Sequence, residues 1–409
     1  MAADSAKHHG SPMRNPVFRR FVLARSLSQA GGWMQVVAAG WLVFDLTGNA
    51  AAVGVLAVLS KLPTLVGTPL GGTLADRYDH RRLAVVTLAL QAIPPAVMAL
   101  LALDDAISTT EIYLLVFAGA IPSAITSPVL QEILPHLVPE ETQRQAMADS
   151  AVAFNLARTA GPAIGGGIVT AVGVPLAFAI NSLSFVGVLL MLVSLPSDSE
   201  DAMKERLGKR RQMSFRGGLR AVWRLPLMRT LLIAATVFFV YVGPIEQVMP
   251  AIASQHGEGA AYIGVLLSAI ALGGIAANPL VRRLNDRKAP ALIMLGCAIA
   301  ASGLMLVLLG LSDALVTDLL ILLALGAAWE VVWVTSWTTT HFRSPEGVSG
   351  EAMGLLLMTY SLGVAAGALL AGWLFDEFGV GDSLVGTGIV LIALAAIPTV
   401  MGRRVTDAA

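Results

Sequence analysis

Apolar stretches long enough to cross a membrane recur along nearly the whole chain, separated by short polar breaks. A stretch of about 20 residues crosses roughly 30 Å of hydrocarbon as a helix. The pattern predicts twelve such spans, near residues 20–45, 51–74, 83–103, 112–134, 147–171, 175–195, 229–252, 261–281, 290–311, 315–340, 350–374 and 382–401. Alternating strand-sized segments are missing from the sequence, so the backbone must satisfy its hydrogen bonds within helices. We therefore expect an all-α integral membrane protein.

The composition supports a membrane protein rather than a soluble one. Of the 409 residues, 56% are hydrophobic and 13% are charged, and the mean hydropathy is +0.74. This share of charge is about half of that in soluble domains. The formal net charge is zero, so the total charge does not point to a nucleic-acid partner, and we expect none.

Basic residues occupy alternate connections between the predicted spans. Arg81, Arg144 and Arg283 lie in connections on one side, whereas connections on the other side hold acids such as Glu258 and Asp376. Lys and Arg accumulate on the cytoplasmic side of membrane proteins, so an even number of spans predicts that both termini are cytoplasmic. We expect a multi-pass protein of the cell's inner (plasma) membrane.

A longer polar break divides the spans six plus six. The sequence predicts five regions, namely a cytoplasmic tail at 1–19, a first six-helix bundle at 20–195, a basic cytoplasmic linker at 196–228, a second six-helix bundle at 229–402 and a cytoplasmic tail at 403–409. The basic linker either contacts anionic lipid headgroups or is a solvated connector, and the second interpretation is the simpler.

The two sets of spans repeat a glycine pattern. Three glycines of the fifth span recur 206 positions later in the eleventh, so that Gly161, Gly166 and Gly173 match Gly367, Gly372 and Gly379. The second span matches the eighth when Gly72 is placed on Gly274. Such a repeat implies two pseudo-symmetric halves in parallel orientation, with the substrate site at their interface near the midplane.

The connection between the second and third spans carries a distinctive motif. It reads Gly71-Gly72-Thr73-Leu74-Ala75-Asp76-Arg77-Tyr78-Asp79-His80-Arg81-Arg82. It resembles the signature loop of the major facilitator superfamily, although Asp79 stands where that loop usually has glycine. The fifth span adds Arg158-Thr159-Ala160-Gly161-Pro162, which is similar to the Gly-Pro segment of antiporter members. Together with Trp41-Leu42-Val43-Phe44-Asp45-Leu46-Thr47-Gly48, it resembles the enterobactin-exporter-like (transmembrane secretion effector) branch.

The resemblance covers essentially the whole chain and implies a role for the motif. In the superfamily this loop latches the two halves on the cytoplasmic side while the cavity faces outward, with the eleventh span as its partner. The implied gating residues are Gly72, Asp76, Arg77, Arg81 and Arg82. A carboxylate beside arginines at a helix end can pair locally or face the positive end of a neighbouring helix, which fits such a latch. Without the resemblance, a turn that obeys the positive-inside rule is the preferred interpretation.

Small residues at helical spacing predict close contacts between spans. Glycines four residues apart let helix backbones approach each other in lipid, and a proline removes one helical hydrogen bond. The predicted packing motif contains Gly161, Pro162, Gly165, Gly166, Gly363 and Gly367. Its position in the fifth and eleventh spans fits a seam at which one half rocks on the other.

Four ionisable residues stand out at membrane depth, where a charge is costly unless it has a partner or a wet cavity. Arg158 is expected to bind an anionic group or to pair with an acid, and Lys61 either faces the cavity or extends to an interface. Glu330 is the preferred candidate for proton exchange, with a fixed ion pair as the alternative. Glu246 is the other candidate, or a wet residue at the cavity mouth.

Polar and aromatic stripes mark two further spans. Polar positions follow one face of the first span at helical spacing and should line a cavity, namely Arg25, Ser28, Gln29, Gly32 and Gln35. Trp329, Trp333 and Trp337 share a face of the tenth span beside Glu330. They would either line a site for a flat, partly apolar substrate, with Trp333 in the cavity, or pack against neighbouring helices and lipid.

These features favour transport over catalysis. The sequence has no nucleotide-binding P-loop, and its six histidines show no metal-ligand spacing. We expect no enzyme activity, cofactor or metal. The preferred function is a proton-coupled secondary exporter of a siderophore-like or drug-like small molecule, working by alternating access as a monomer in contact with membrane lipid. A lysolipid or lipid transporter and a transporter-like sensor that does not transport are the alternatives.

Overall fold

The structure is a computed structural model. It describes residues 11–104, 106–194, 223, 225–286, 290–344 and 349–406. Within these ranges the description excludes the side chains of residues 68–69, 72–73, 75–77, 285–286, 349–350 and 402–406.

Six long helices form the first half of the described chain. They are α1 Pro16–Thr47, α2 Ala50–Arg77, α3 His80–Leu103, α4 Thr109–His136, α5 Gln143–Ala171 and α6 Val174–Val193. The second half contains α7 Pro226–Tyr241, α8 Met249–Gln255, α9 Ala260–Asp286, α10 Ala291–Gly310, α11 Leu315–Arg343, α12 Ser349–Phe378, α13 Val380–Leu394 and α14 Ala396–Thr406. All twelve predicted spans are therefore helical, which confirms the all-α prediction.

Two of the predicted spans are interrupted. The seventh is divided into α7 and α8 by the 3₁₀ turn Gly243–Glu246, where Pro244 removes a backbone donor. The twelfth is divided at Ala395 into α13 and α14. The first interruption matters for function because it places Glu246 in the turn rather than in a regular helix.

Local sequence signals fix several helix ends. The Asn15 side chain accepts the backbone N–H of Val17 at 2.9 Å and begins α1. Gly48, at φ 63°, ends the same helix in the left-handed conformation that glycine favours. Ser108 and Glu111 form a reciprocal capping box at the start of α4.

Ten segments of the described residues are long and apolar enough to cross a membrane. The two other long helices, α1 and α5, have 32 and 29 residues but carry more polar side chains. Arg25 in α1 and Arg158 in α5 are the clearest examples, and both line a cavity inside the protein. The lower hydropathy of these two helices therefore reflects the surface that they present to the cavity.

The helices pack as two bundles. In the first half α1 packs on α5 and α6, while α3 packs on α4 and α6. In the second half α9 packs on α11, α10 on α13, and α7 on α12. The most extensive contacts between the halves are those of α2 with α12 and of α5 with α9. The predicted linker 196–228 lies almost wholly outside the described residues, so its boundaries stay a prediction.

The structure corrects the predicted register of one repeat. Gly54 of α2 contacts Ala368 of α12, and Gly264 of α9 makes the equivalent contact with Pro162 of α5. Gly264 lies 210 positions after Gly54, and Ala368 lies 206 positions after Pro162. The match of Gly72 with Gly274, which also placed Asp76 on Asn278 and Arg81 on Arg283, is therefore wrong by eight residues. Single glycines and charges recur too often in this chain to determine a register. In the corrected register Asp76-Arg77 matches Asp286-Arg287.

Candidate functional site

A cavity of about 840 Å³ lies between the two halves. Its volume falls in the range of about 300–1,000 Å³ that is usual for small-molecule sites. Helices α1 to α6 contribute most of the wall, and the second half closes it with residues from the turn after α7 and from α8, α9, α11 and α12. All eight residues predicted to line the cavity do so, namely Arg25, Gln29, Gln35, Lys61, Arg158, Glu246, Glu330 and Trp333.

The polar stripe of α1 forms one side of this cavity. Ser28 and Gly32 line it together with the three stripe residues named above. Since residues three and four apart share a helix face, this one stripe exposes polar groups along several turns of α1. Gln35 also accepts a hydrogen bond from the Asn181 side chain of α6, which ties the stripe to a second helix of the same half.

An ion pair joins the two halves inside the cavity. The Arg158 Nη2 atom of α5 lies 2.7 Å from the Glu246 Oε1 atom in the turn after α7. Glu246 is only 7% exposed, and the Arg158 guanidinium also lies 5.6 Å from the centre of the Trp33 ring. A buried charge needs such partners, because an isolated charge at this depth is strongly unfavourable.

Glu330 lies close to the same arginine. It lines a small recess together with Arg158, Asn155 and Asn278. Gly274 of α9 leaves room for the carboxylate, since a Cβ atom there would lie 3.6 Å from Glu330 Oε2. Both carboxylates that line the cavity are thus grouped around Arg158.

The two other cations of the cavity lie on aromatic rings. The Arg25 guanidinium is 4.9 Å from the centre of the Phe154 ring, and the Lys61 ammonium is 5.7 Å from that of Tyr360. Within the described part of the chain, neither cation has a carboxylate oxygen within the 4.0 Å of a salt bridge. The buried Nη1 atom of Arg25 has no hydrogen-bond partner there.

Aromatic side chains form the wall beside Lys61. Trp333 packs against Tyr360 at 5.5 Å and Phe239 at 6.2 Å between ring centres. Trp337 extends the stack at 5.8 Å from Trp333. Trp333 and Tyr360 line the cavity, so an aromatic or flat apolar group has a surface to pack on.

Two pseudo-symmetric contacts, which we call the outer seams, join the halves at the predicted outer face. In the first seam, α5 meets the start of α9, with Gly166 against Ala260. In the second, α12 meets the start of α2, where a Cβ atom at Gly372 would lie 2.6 Å from Ala51 Cα. Any side chain at either glycine would collide with the backbone of the facing helix.

Each outer seam also contains a capping hydrogen bond from one half to the other. The Asp376 carboxylate of α12 accepts the backbone N–H groups of Ala50 and Ala51 at 2.8 and 2.9 Å. Thr170 of α5, which lies 206 positions before Asp376, accepts the N–H of Ala261 at 3.1 Å. Each cap satisfies backbone donors at the start of a helix in the opposite half.

The predicted packing motif divides between two kinds of contact. Gly161 and Gly165 pack against α1, within the first half, and Gly363 and Gly367 pack against α7, within the second. The larger part of the motif therefore holds each bundle together. Gly166, which is in an outer seam, and the Pro162 carbonyl, which contacts Gly264 of α9, lie between the halves.

The predicted gating loop is only partly described. The side chains of Gly72, Asp76 and Arg77 lie outside the described residues, so the latch stays a prediction. Arg81 donates a hydrogen bond to the Val193 carbonyl at the end of α6. The backbone N–H of Arg82 is accepted by the Asp79 side chain at 2.7 Å. Asp79 therefore caps α3 through its side chain, a hydrogen bond that a glycine in its place would lack.

Several functional contacts are not evident in the sequence. Trp33, Phe154 and Tyr360 were not predicted as partners of the buried cations, because each pairing depends on tertiary packing. The capping residues of the outer seams could have been found from the sequence, because Thr170 and Asp376 are separated by the same 206 residues as the repeated glycines. The charge pattern alone places Asp376 in an acidic outer connection and gives it no partner.

The fold and cavity define a class of protein. Two bundles of membrane-spanning helices that enclose a polar cavity between them are the architecture of a secondary transporter. Solved structures agree on the fold. A nucleoside transporter, NupG, superposes with a TM-score of 0.76 over 94% of this chain and 99% of its own, at 13% identity. A bacterial homologue of the iron transporter ferroportin, in an inward-facing state, gives 0.72 over 97% and 99%, at 16% identity.

Sequence comparison identifies the family. The model of the family described as transmembrane secretion effector matches residues 8–409. The chain therefore belongs to this family of the major facilitator superfamily, as its motifs predicted. It is 27% identical to the multidrug efflux pump Tap of Mycobacterium tuberculosis, with 94% of each chain covered. It is 26% identical to the enterobactin exporter EntS of Escherichia coli, over 88% of this chain and 85% of EntS.

Proposed function

We propose that the chain is a secondary active exporter that exchanges protons for a small molecule, drug-like or siderophore-like, across the inner membrane of the cell. The observation that carries the proposal is the Arg158–Glu246 ion pair, which crosses between the halves inside the cavity. A bond that joins moving halves and contains a titratable group can couple proton exchange to their movement. Membership of a family that includes efflux pumps supports the direction of transport.

In this account the structure represents one state of an alternating-access cycle. The outer seams hold the halves together at the predicted outer face, and the cavity wall extends to Leu130 and Val188, near the predicted cytoplasmic ends of α4 and α6. The resemblance of the fold to an inward-facing transporter supports the same assignment. Substrate enters from the cytoplasm in this state, with both termini on that side.

Glu246 is the residue we propose to exchange the proton. When the outer seams open, protonation of Glu246 from the outer side removes its charge and releases Arg158. The released arginine still has Glu330 in its recess, so it does not become an isolated buried charge. The sequence favours Glu330 for this role. In the structure, however, Glu246 forms the ion pair that crosses between the halves, whereas Glu330 only lines a recess beside Arg158.

Export is tested by deleting the gene in its host. Untargeted mass spectrometry of cells and spent medium should find a compound retained in the deletion strain and released again by the wild-type gene. A Glu246→Gln gene, expressed at the same level in the membrane, should fail to restore release. If pools inside and outside are unchanged by deletion, export is wrong, and a sensor that binds without transporting becomes the better account.

A further inference from the structure

We infer that the transported molecule is an organic anion with an aromatic part, and that Arg25 and Lys61 bind its anionic group. This inference rests on the proposed function in one respect, namely that the molecule bound in the cavity is the one moved. It adds the substrate class, which neither the family nor the ion pair defines.

The charge distribution in the cavity carries the inference. Among the described residues three cations line it, and the two carboxylates that line it, Glu246 and Glu330, both lie beside one of these cations, Arg158. Arg25 and Lys61 are left without a carboxylate partner among the described residues. An uncompensated positive charge at membrane depth is unfavourable, and a bound anion would remove much of that penalty.

The surroundings of these two cations define the rest of the ligand. Arg25 lies on Phe154, and Lys61 lies on Tyr360, which packs against Trp333. A ligand whose anionic group reaches the cation can therefore place a flat ring on the adjoining aromatic wall. A positively charged ligand would be repelled by Arg25 and Lys61, and both carboxylates that could attract it lie beside Arg158.

The two cations lie at different depths. Arg25 is 22 residues before the outer end of α1, and Lys61 is 11 residues after the outer start of α2. At 1.5 Å per residue these positions are roughly 16 Å apart along the membrane normal. Arg25 is the nearer to the predicted cytoplasmic face. The anion should therefore meet Arg25 first on entry and Lys61 at the level of Arg158.

The test compares probes that differ only in charge. Full-length protein in detergent is titrated by calorimetry with naphthalene-2-carboxylate, naphthalene-2-carboxamide and 2-naphthylmethylammonium. The carboxylate should bind roughly tenfold more tightly than the neutral amide, and the ammonium probe most weakly. Lys61→Gln and Arg25→Gln should each reduce the preference for carboxylate over amide, and the double glutamine variant should remove most of it, whereas Lys61→Arg should keep it. Arg20→Gln, an exposed position on the same helix as Arg25, is the matched control and should bind like wild type.

Two results would overturn the inference: tighter binding of the ammonium probe, or an unchanged carboxylate preference in the double glutamine variant. Thermal unfolding of each variant shows whether it is folded, and the amide probe shows whether its cavity is intact. The assay contains no membrane and no gradient. If the carboxylate probe shows no preference, the proposed substrate class is rejected, but proton-coupled export is not affected. If flux assays show no coupling to protons, the proposed export mechanism is rejected, but the binding preference is not affected.

Discussion

The guanidinium of Arg158 and the carboxylate of Glu246 lie 2.7 Å apart, although they are 88 residues apart in sequence and belong to different halves of the protein. Removing one partner of a buried pair leaves the other charge without its nearest counter-charge. We expect Arg158→Glu or Glu246→Arg alone to lower the apparent Tm in detergent by roughly 5 °C.

A charge-swap variant tests whether Arg158 and Glu246 stabilise the protein through their contact with each other or act independently. The double variant Arg158→Glu with Glu246→Arg should recover a substantial part of the Tm lost by the single variants, since it restores opposite charges at the same positions. Additive losses in the double variant would show that the two residues do not stabilise each other.

The outer seam at Gly166 should tolerate no side chain when the outer face is closed. A Cβ atom there would collide with the Ala260 carbonyl of α9, whereas Gly167 beside it has open space within 4 Å. We expect Gly166→Val to abolish release of the exported compound, because the halves cannot close at the outer face. Gly167→Val is the matched control and should retain release. Cysteines introduced across the seam and labelled from outside should react more readily in Gly166→Val, and equal labelling in both variants would contradict this account.

The Asp376 cap should stabilise the same closed face. Replacing a helix cap by alanine costs about 1 kcal/mol, and this cap serves two N–H groups across the halves. We expect Asp376→Ala to raise the outside accessibility of a cavity cysteine several-fold. The neighbouring exposed Glu377 supplies the control, Glu377→Gln, which should change nothing. Thr170→Val should have a smaller effect, because Thr170 caps one N–H group with a neutral hydroxyl.

The gating loop gives a prediction that follows from the resemblance to the superfamily. Asp76→Asn should reduce transport while the amount of protein in the membrane stays the same, because a neutral amide pairs more weakly with arginine. Release measured in intact cells, normalised to membrane abundance, checks this. Normal release by Asp76→Asn would remove the latch from the mechanism.

The sequence predicts the helices and the cavity-lining faces well for a physical reason. A hydrophobic span must cover a fixed membrane thickness, and a period near 3.6 places residues such as Arg25, Gln29 and Gln35 on known faces. These constraints are local, so they can be read without knowing the neighbours. The break of the seventh span at Pro244 had a local signal too, but the apolar pattern around it concealed the turn.

Partners between helices are a different matter. Nothing near Arg158 in the sequence indicates that Glu246 faces it, and Lys61 is 299 positions from Tyr360. Such pairs depend on how the bundles pack, which the pattern of one helix does not determine. Only the internal repeat carries long-range information, and it yields the outer seams once the register of α2 on α9 is corrected.

Proton-coupled exchange through Glu246 is the central claim, and uptake into everted membrane vesicles tests it most directly. The compound identified in the deletion experiment is added outside vesicles whose interior is acidified by respiration, with wild-type protein, Glu246→Gln or Glu330→Gln in the membrane. We expect uphill uptake by the wild type that collapses when a protonophore removes the gradient, and uptake by Glu246→Gln that never exceeds equilibration. Uphill uptake by Glu246→Gln with an unchanged dependence on the gradient would contradict the account. If uphill uptake is lost in Glu330→Gln but not in Glu246→Gln, Glu330 carries the proton instead.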